Sequence, residues 1–248
     1  MSVGRVSIVK KRAYPELGMI EKNFQISDHG EICFAVGGDG TFLRAAEKFD
    51  CPILHIRSEE KNSLGCRADV SLSEIKEVIA DLKQGRYIIE RHPKLRVTYR
   101  NQTCNAVNDV VLFRAGPKAI HFAVDYYDNE GDELQLYPED VRGDGIIFTR
   151  QIGSTAYNYF AHGPVLLDLD TFIVTPISAN HAFSIVTNKD FRVEITKGIG
   201  FLEYDGVNIA KLRLGDSFTV TKSDKTVKIV RLKRREKFSD KLARLESF

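Results

Sequence analysis

The chain lacks any long apolar run. The stretch that follows Met1-Ser2-Val3-Gly4-Arg5 is only a few residues long, far short of a secretion-signal core or a membrane-spanning helix. A cytoplasmic location with no membrane partner is the expectation. Cysteine is scarce and scattered: Cys33, Cys51, Cys66 and Cys104 form no Cys-x-x-Cys pair, which argues against a zinc site or a redox dithiol and for reduced, mostly buried thiols. Charge of one sign is missing too. A formal net charge of +2 gives no reason to expect nucleic acid as a partner. His29, His55, His92, His121, His162 and His181 include no His-x-x-x-His pair, so no metal-ligand cluster is visible. Gly-x-Ser-x-Gly is absent, and Ser154 has no sequence-evident His/Asp partners, which disfavours a serine hydrolase. Neither Gly-x-x-x-x-Gly-Lys-Ser/Thr nor the spacing Gly-x-Gly-x-x-Gly occurs, which removes the two common nucleotide loops. There is no internal repeat and no low-complexity linker.

What is present is an ordinary globular composition, 43% hydrophobic and 28% charged, in 248 residues, enough for one large domain or two smaller ones. Val6 to Val9 reads as a strand, and Ile32-Cys33-Phe34-Ala35-Val36 as a strand buried on both faces. Phe42, Ala45, Ala46 and Phe49 then recur at helical spacing up to Asp50-Cys51-Pro52. Pro52 to Ile56 supplies another strand. Ser71-Leu72-Ser73-Glu74 has the form of a capping box before the apolar stripe Ile75, Val78, Ile79 and Leu82, and Gly85 is a stop signal. Residues 1–88 are therefore expected to form an α/β, Rossmann-like domain.

From Tyr87 the texture changes to short β-rich runs, among them Leu95 to Tyr99, Ala106 to Phe113, Ala119 to Tyr127, Gly145 to Phe148 and Phe172 to Thr175. Such spacing predicts an all-β, sandwich-like domain over 89–232. Asp128-Asn129-Glu130-Gly131 is a hairpin connection. The basic end, residues 233–248, carries Phe238, Leu242 and Leu245 at the spacing of a short helix that packs back on the N-terminal domain.

Three segments carry chemistry. Gly37-Gly38-Asp39-Gly40-Thr41 sits between a strand and a helix, where backbone N–H groups can face phosphate oxygens. A carboxylate there would repel bare phosphate. Asp39 is better matched to a divalent metal on the phosphates or to a sugar hydroxyl that loses its proton, and both belong to phosphoryl transfer. The plain alternative is a tight turn with Asp39 or Thr41 as helix cap. Asn108-Asp109 offers donors and acceptors to a purine edge or a ribose, or is a polar strand end. Arg142-Gly143-Asp144-Gly145, Gly153-Ser154-Thr155-Ala156-Tyr157 and His162-Gly163-Pro164 combine small residues, hydroxyls, an aromatic face and a charge pair. They suit a ligand-lined loop, or else a glycine-rich connection.

Taken in order, Gly37-Gly38-Asp39-Gly40-Thr41, Asn108-Asp109, Asp144-Gly145, Gly153 to Tyr157 and Gly163-Pro164 resemble the NAD kinase family, with a fainter echo at Asp205-Gly206. Diacylglycerol, sphingosine and, more loosely, phosphofructokinases share the glycine-Asp turn, and Gly-Ser-Thr-Ala-Tyr separates them. The resemblance implies transfer of a phosphoryl group from ATP or polyphosphate to the 2′-hydroxyl of the adenosine ribose of NAD, giving NADP. It implies Asp39 as general base, with Gly40 and Arg44 on phosphates and Asn108 and Asp109 on adenosine. Arg142, Asp144, Ile152, Thr155, Ala156, Tyr157 and Asn158 complete the dinucleotide site. A divalent cation, usually magnesium, and a dimer or tetramer are also implied.

Three departures from the family pattern stand out. Arg57-Ser58-Glu59-Glu60-Lys61 replaces an Asn-x-Gly segment. Arg150-Gln151-Ile152-Gly153 replaces Thr-Pro-Thr-Gly, a form resembling archaeal members. His162 occupies a usual glycine position, with the expectation of a narrowed or rewired pocket. A lipid or sugar kinase sharing only the glycine turn, and a non-catalytic NAD(P) sensor, are the alternative readings.

Overall fold

The computed structural model describes residues 3–58 and 68–232. The expected C-terminal helix at 233–248, most of the 57–61 loop, and Cys66 lie outside the described residues. The chain divides into two compact units, one made of residues up to Arg91 and from Val227 onward, the other of His92–Thr226.

In the first unit the order is β1 (Arg5–Lys10), α1 (Leu17–Asn23), β2 (Gln25–Ile26), β3 (Ile32–Val36), α2 (Asp39–Lys48), β4 (Ile53–Arg57), β5 (Val70–Ser71), α3 (Ile75–Lys83) and the start of β6 (Tyr87–Tyr99). The strands pair in parallel in the order β2-β1-β3-β4, with β5 also on β4. β3 is buried along its whole length because helices cover both faces. Phe34 and Val36 pack in one cluster with Leu17 and Ile20 of α1 and with Ile75, Val78 and Leu82 of α3. On the opposite face Phe42 of α2 stacks on His55, ring centroids 5.4 Å apart. The Ser71 N–H donates to Glu74 Oε2 at 2.8 Å, and Gly85 closes α3 at φ +65°, as their positions in the sequence lead one to expect.

The chain runs from β1 out to β2 and then returns to β3 on the other side of β1. In a doubly wound sheet, ligands bind at the carboxyl ends of the strands where the order reverses. The Gly37–Thr41 turn lies at that end of β3.

The second unit continues with β7 (Gln102–Ala106), β8 (Asp109–Arg114), β9 (Ile120–Tyr127), β10 (Glu133–Gln135), β11 (Val141–Gly143), β12 (Gly145–Thr149), α4 (Tyr157–Phe160), β13 (Phe172–Ile177), β14 (Ile185–Thr187), β15 (Phe191–Lys197), β16 (Ile199–Tyr204), β17 (Val207–Arg213) and β18 (Ser217–Leu232), whose end from Val227 belongs to the first unit. Six antiparallel strands form one sheet, β14-β13-β12-β8-β16-β17. Its inner face, with Val110, Leu112, Ile146, Phe148 and Leu202, meets Phe122, Val124, Phe191, Val193 and Val220 from β9, β15 and β18 in a single apolar core.

The expected strand Ala106 to Phe113 is broken after Ala106, because the next three N–H groups donate to the Asp205 carboxylate instead of a ladder. The 128–131 hairpin forms, with Asp128 N–H on the Asp132 carbonyl at 3.0 Å. Cys33 is buried and Cys51 and Cys104 partly so, all three as free thiols. Burial foremost, with Cys51 nearby, pushes the Cys33 thiol up to about 12.

At the edge of the first unit, Arg231 lies between two carboxylates, with Nε on Glu90 at 2.8 Å and Nη1 on Asp69 at 3.1 Å. The Asp69 side chain is 5% exposed and that of Arg231 15%. Arg231→Ala would take the cation from the largely buried Asp69 side chain, and is expected to cost roughly 3 kcal/mol. Urea unfolding checks this, as a lowered midpoint at unchanged slope.

Candidate functional site

Two places gather the residues singled out above, one in each unit. In the first unit Asp39 is the opening residue of α2, and the helix cap is Gly38, in extended backbone and with no side chain to bond. The capping alternative for Asp39 or Thr41 is therefore not the arrangement adopted. The half-buried Asp39 opens the helix at the positive end of its dipole.

Gly37 and Gly40 have different reasons to be glycine. Gly37 has φ +151°, and an added Cβ would overlap Thr41 Oγ1. At Gly40 an added Cβ would meet no atom within 4 Å, so packing makes no demand there. His55, buried on β4, holds the turn through Nε2 to the Gly37 carbonyl at 3.1 Å. Arg44, one helical turn on and exposed, donates from Nη2 to Thr41 Oγ1 at 3.3 Å.

The second place is the outer face of the six-stranded sheet. Alternation along β8 sends Val110 and Leu112 into the core and Asp109 outward, while on β16 Leu202 goes in and Glu203 out. Glu203 lies opposite Val111. Tyr157, at the start of α4, is partly exposed there. Burial, then Asp144, Asp109 and Glu203, raise its phenol pKa, so it remains a hydrogen-bond donor. These four residues form one cluster, in which Glu203 carried no sequence signal beyond strand alternation.

Asp144 is anchored by Arg114, whose Nε reaches Oδ1 at 2.5 Å and whose N–H donates to the Asp144 carbonyl at 2.8 Å. Arg114 was not marked by any motif. Thr149 Oγ1 donates to the Asn108 carbonyl at 2.5 Å. At Gly153 a Cβ would overlap that same carbonyl and Thr149 Oγ1, so only glycine lets the Ile152–Tyr157 turn pack down beside Asn108. Ile152, Thr155 and Ala156 line this turn, partly exposed.

Two further expected site residues differ sharply in exposure. Asn158 is fully buried, and its amide is bonded to the Ser154 and Pro164 carbonyls at 3.1 and 2.9 Å and to Thr175 Oγ1 at 2.7 Å. It pins the turn from beneath. Arg142 is exposed on β11, and its backbone carbonyl accepts from Asn180.

The departures also have structural correlates. Arg150 is buried, stacks on Phe172 at 4.7 Å and pairs with Asp170, and Gln151 Nε2 bonds the Leu167 carbonyl at 2.5 Å. These bonds lace the loop before β13 to the turn. Burial works to raise the Asp170 carboxyl, but hydrogen bonds from Arg150 and Lys222 outweigh it and hold it below the ordinary range. His162 takes φ +59°, a conformation that glycine adopts freely, and its side chain is exposed rather than directed inward.

Residues 107–232, which span most of the second unit and the rest of β18, match the family described as ATP-NAD kinase C-terminal domain. An NAD kinase of Natranaerobius thermophilus is 31% identical over 220 residues, 83% of this chain and 74% of that protein. The crystal structure of an NAD kinase from Archaeoglobus fulgidus in complex with ATP aligns with a TM-score of 0.79 at 23% identity, over 98% of this chain and 99% of that one. Yeast NADH kinase complexed with NADH aligns equally well, TM-score 0.79 at 18% identity, over 100% of this chain and 88% of its own. The chain is thus a kinase. It belongs to the NAD kinase family.

The glycines separate packing from ligand access. Gly153→Ala is expected to force the turn away from Asn108 and lower stability by roughly 1–3 kcal/mol. Gly40→Ala, inside a helix and in open space, should leave stability unchanged or raise it by about 0.5–1 kcal/mol. Thermal unfolding of the two variants side by side checks the contrast.

Proposed function

We propose that this chain forms NADP by moving the terminal phosphoryl group of ATP or polyphosphate to the 2′-hydroxyl of the adenosine ribose of NAD. The observation that carries the reading is the carboxylate of Asp39 at the first residue of α2, directly after the glycine turn and at the reversal point of the parallel sheet. The names of the relatives support the same substrates.

In this reading Asp39 accepts the 2′-hydroxyl proton as that oxygen bonds to the terminal phosphorus. The phosphorus bond to the bridging oxygen breaks, and ADP or a shortened polyphosphate leaves. The N–H groups at the start of α2 and the Arg44 guanidinium take the phosphate charge. Asn108 and Asp109 bind adenosine, and Asp144 and Tyr157 complete the dinucleotide contacts. Asn158 acts from below, by holding the turn that carries Thr155 to Tyr157. Arg142 is kept as a phosphate contact only on its charge and exposure.

Among the described residues, the one group of three clustered potential metal ligands is Asp128, Glu130 and Asp132, in a solvent-facing hairpin. Magnesium would arrive on the donor's phosphates, as is usual for that ion. Its contribution there is to neutralise charge on the transferring group.

Purified protein given NAD, magnesium and either ATP, other nucleoside triphosphates or polyphosphate is expected to yield NADP, read by a coupled dehydrogenase. No NADP with any donor, together with no NAD binding, would sink the proposal. Asp39→Asn should lower kcat by roughly 10²–10⁴ while the Kd for NAD stays within about threefold, because it deletes a base at constant shape. Comparable turnover in that variant would remove Asp39 from the role. Gly40→Ala adds a methyl where phosphate is to lie, so its KM for the donor should rise although its fold is intact.

A further inference from the structure

Asp205 and Gly206 join β16 to β17 with Tyr204 opposite Val207, and both have positive φ, +48° and +78°. That is a two-residue hairpin of the type an Asn-Gly or Asp-Gly pair forms. The turn by itself needs no carboxylate, since asparagine builds it equally well.

The carboxylate has a separate engagement. Its Oδ2 accepts the Val107 N–H at 2.7 Å, and its Oδ1 accepts those of Asn108 at 2.7 Å and Asp109 at 3.3 Å. In return the Asp205 N–H donates to the Asp109 carbonyl at 3.1 Å. These are three consecutive amides at the point where β7 ends and β8 begins. The Thr149 hydroxyl takes the Asn108 carbonyl. The segment that presents Asn108 and Asp109 is thereby held through its backbone by a residue 96 to 98 positions away. Hydrogen bonds to an ionised acceptor are about twice as strong as neutral ones, and several N–H donors converging on one carboxylate keep it charged.

We infer that Asp205 is a positioning residue for the dinucleotide. Its carboxylate fixes the 107–109 backbone, and with it the positions of the buried Asn108 and Asp109 side chains, before substrate arrives. The inference rests on the reading of Asn108 and Asp109 as dinucleotide contacts. It predicts an effect on one substrate only.

Asp205→Asn is the informative variant, because asparagine keeps the size and tolerates positive φ, but offers one acceptor oxygen and an amide that opposes the incoming N–H groups. The KM for NAD is expected to rise roughly tenfold or more, with the KM for the phosphoryl donor unchanged within about twofold. Hydrogen exchange at the amides of residues 107–109 should accelerate, with the core strands β12 and β15 unaffected. In a variant already carrying Asn108→Ala and Asp109→Ala, adding Asp205→Asn should cost little more, since the three act as one unit. A uniform loss across both substrates, additive with those alanine changes, would show a merely structural role and overturn the inference. Unchanged exchange at 107–109 would overturn it as well. If the wild-type protein forms no NADP, the activity reading falls instead. The positioning role is then decided by exchange at 107–109 and by calorimetric NAD binding to wild type and Asp205→Asn.

Discussion

Backbone N–H groups that leave a β-ladder must find another acceptor, and both candidate sites are built where this happens. In the first unit the chain leaves β3 through glycine and enters α2, whose first turn closes with the Thr41 N–H on the Gly38 carbonyl at 2.9 Å. In the second unit it leaves β7, and the freed amides converge on the Asp205 carboxylate before β8 resumes. The candidate residues Asp39 and Asn108 sit on these two stretches, where the backbone departs from the sheet. His55 and Thr149 serve to stabilise these departures. His55 does so by holding the Gly37 carbonyl and Thr149 by holding that of Asn108, while Arg114 fixes Asp144 through its carboxylate and its carbonyl.

Much of this was legible in the chain itself. The apolar run Ile32–Val36 followed by glycines and by Phe42, Ala45 and Ala46 at helical spacing specifies a buried strand, a turn and a helix from local information. The same holds for the capping box at Ser71 and for the 128–131 hairpin. What stayed hidden depends on contacts distant in sequence. Ala106 to Phe113 reads as one strand because nothing local reveals that Asp205 withdraws three of its amides. The strand Val207–Arg213 mixes polar and apolar residues on an edge, with little periodicity to find. Val141–Gly143 is too short to carry any. Glu203 and Arg114 are ordinary charged residues until the sheet aligns them with Tyr157 and Asp144. Asn158, within a ligand-like segment, turns out to face the interior, and only the positions of Ser154, Pro164 and Thr175 show it.

The unusual Arg150-Gln151 pair illustrates how a loop can be secured by different means. A proline stiffens a turn through its own ring. Here a buried guanidinium paired with Asp170, and a glutamine on the Leu167 carbonyl, bind the neighbouring loop instead. Burying an arginine is costly, and Phe172 beneath it and Asp170 beside it offset part of that cost. His162 shows a cost taken more directly, as a side chain in a left-handed conformation at the end of α4.

A clamp that grips main-chain amides is indifferent to which side chains those residues bear. The three hydrogen bonds at positions 107, 108 and 109 are made whichever side chains stand there, so long as none becomes proline and the buried volume is kept. The second unit therefore separates the frame of its binding surface from the vocabulary displayed on it. Through such a separation a single fold can come to recognise new ligands by substitution at two or three positions, without first having to be rebuilt.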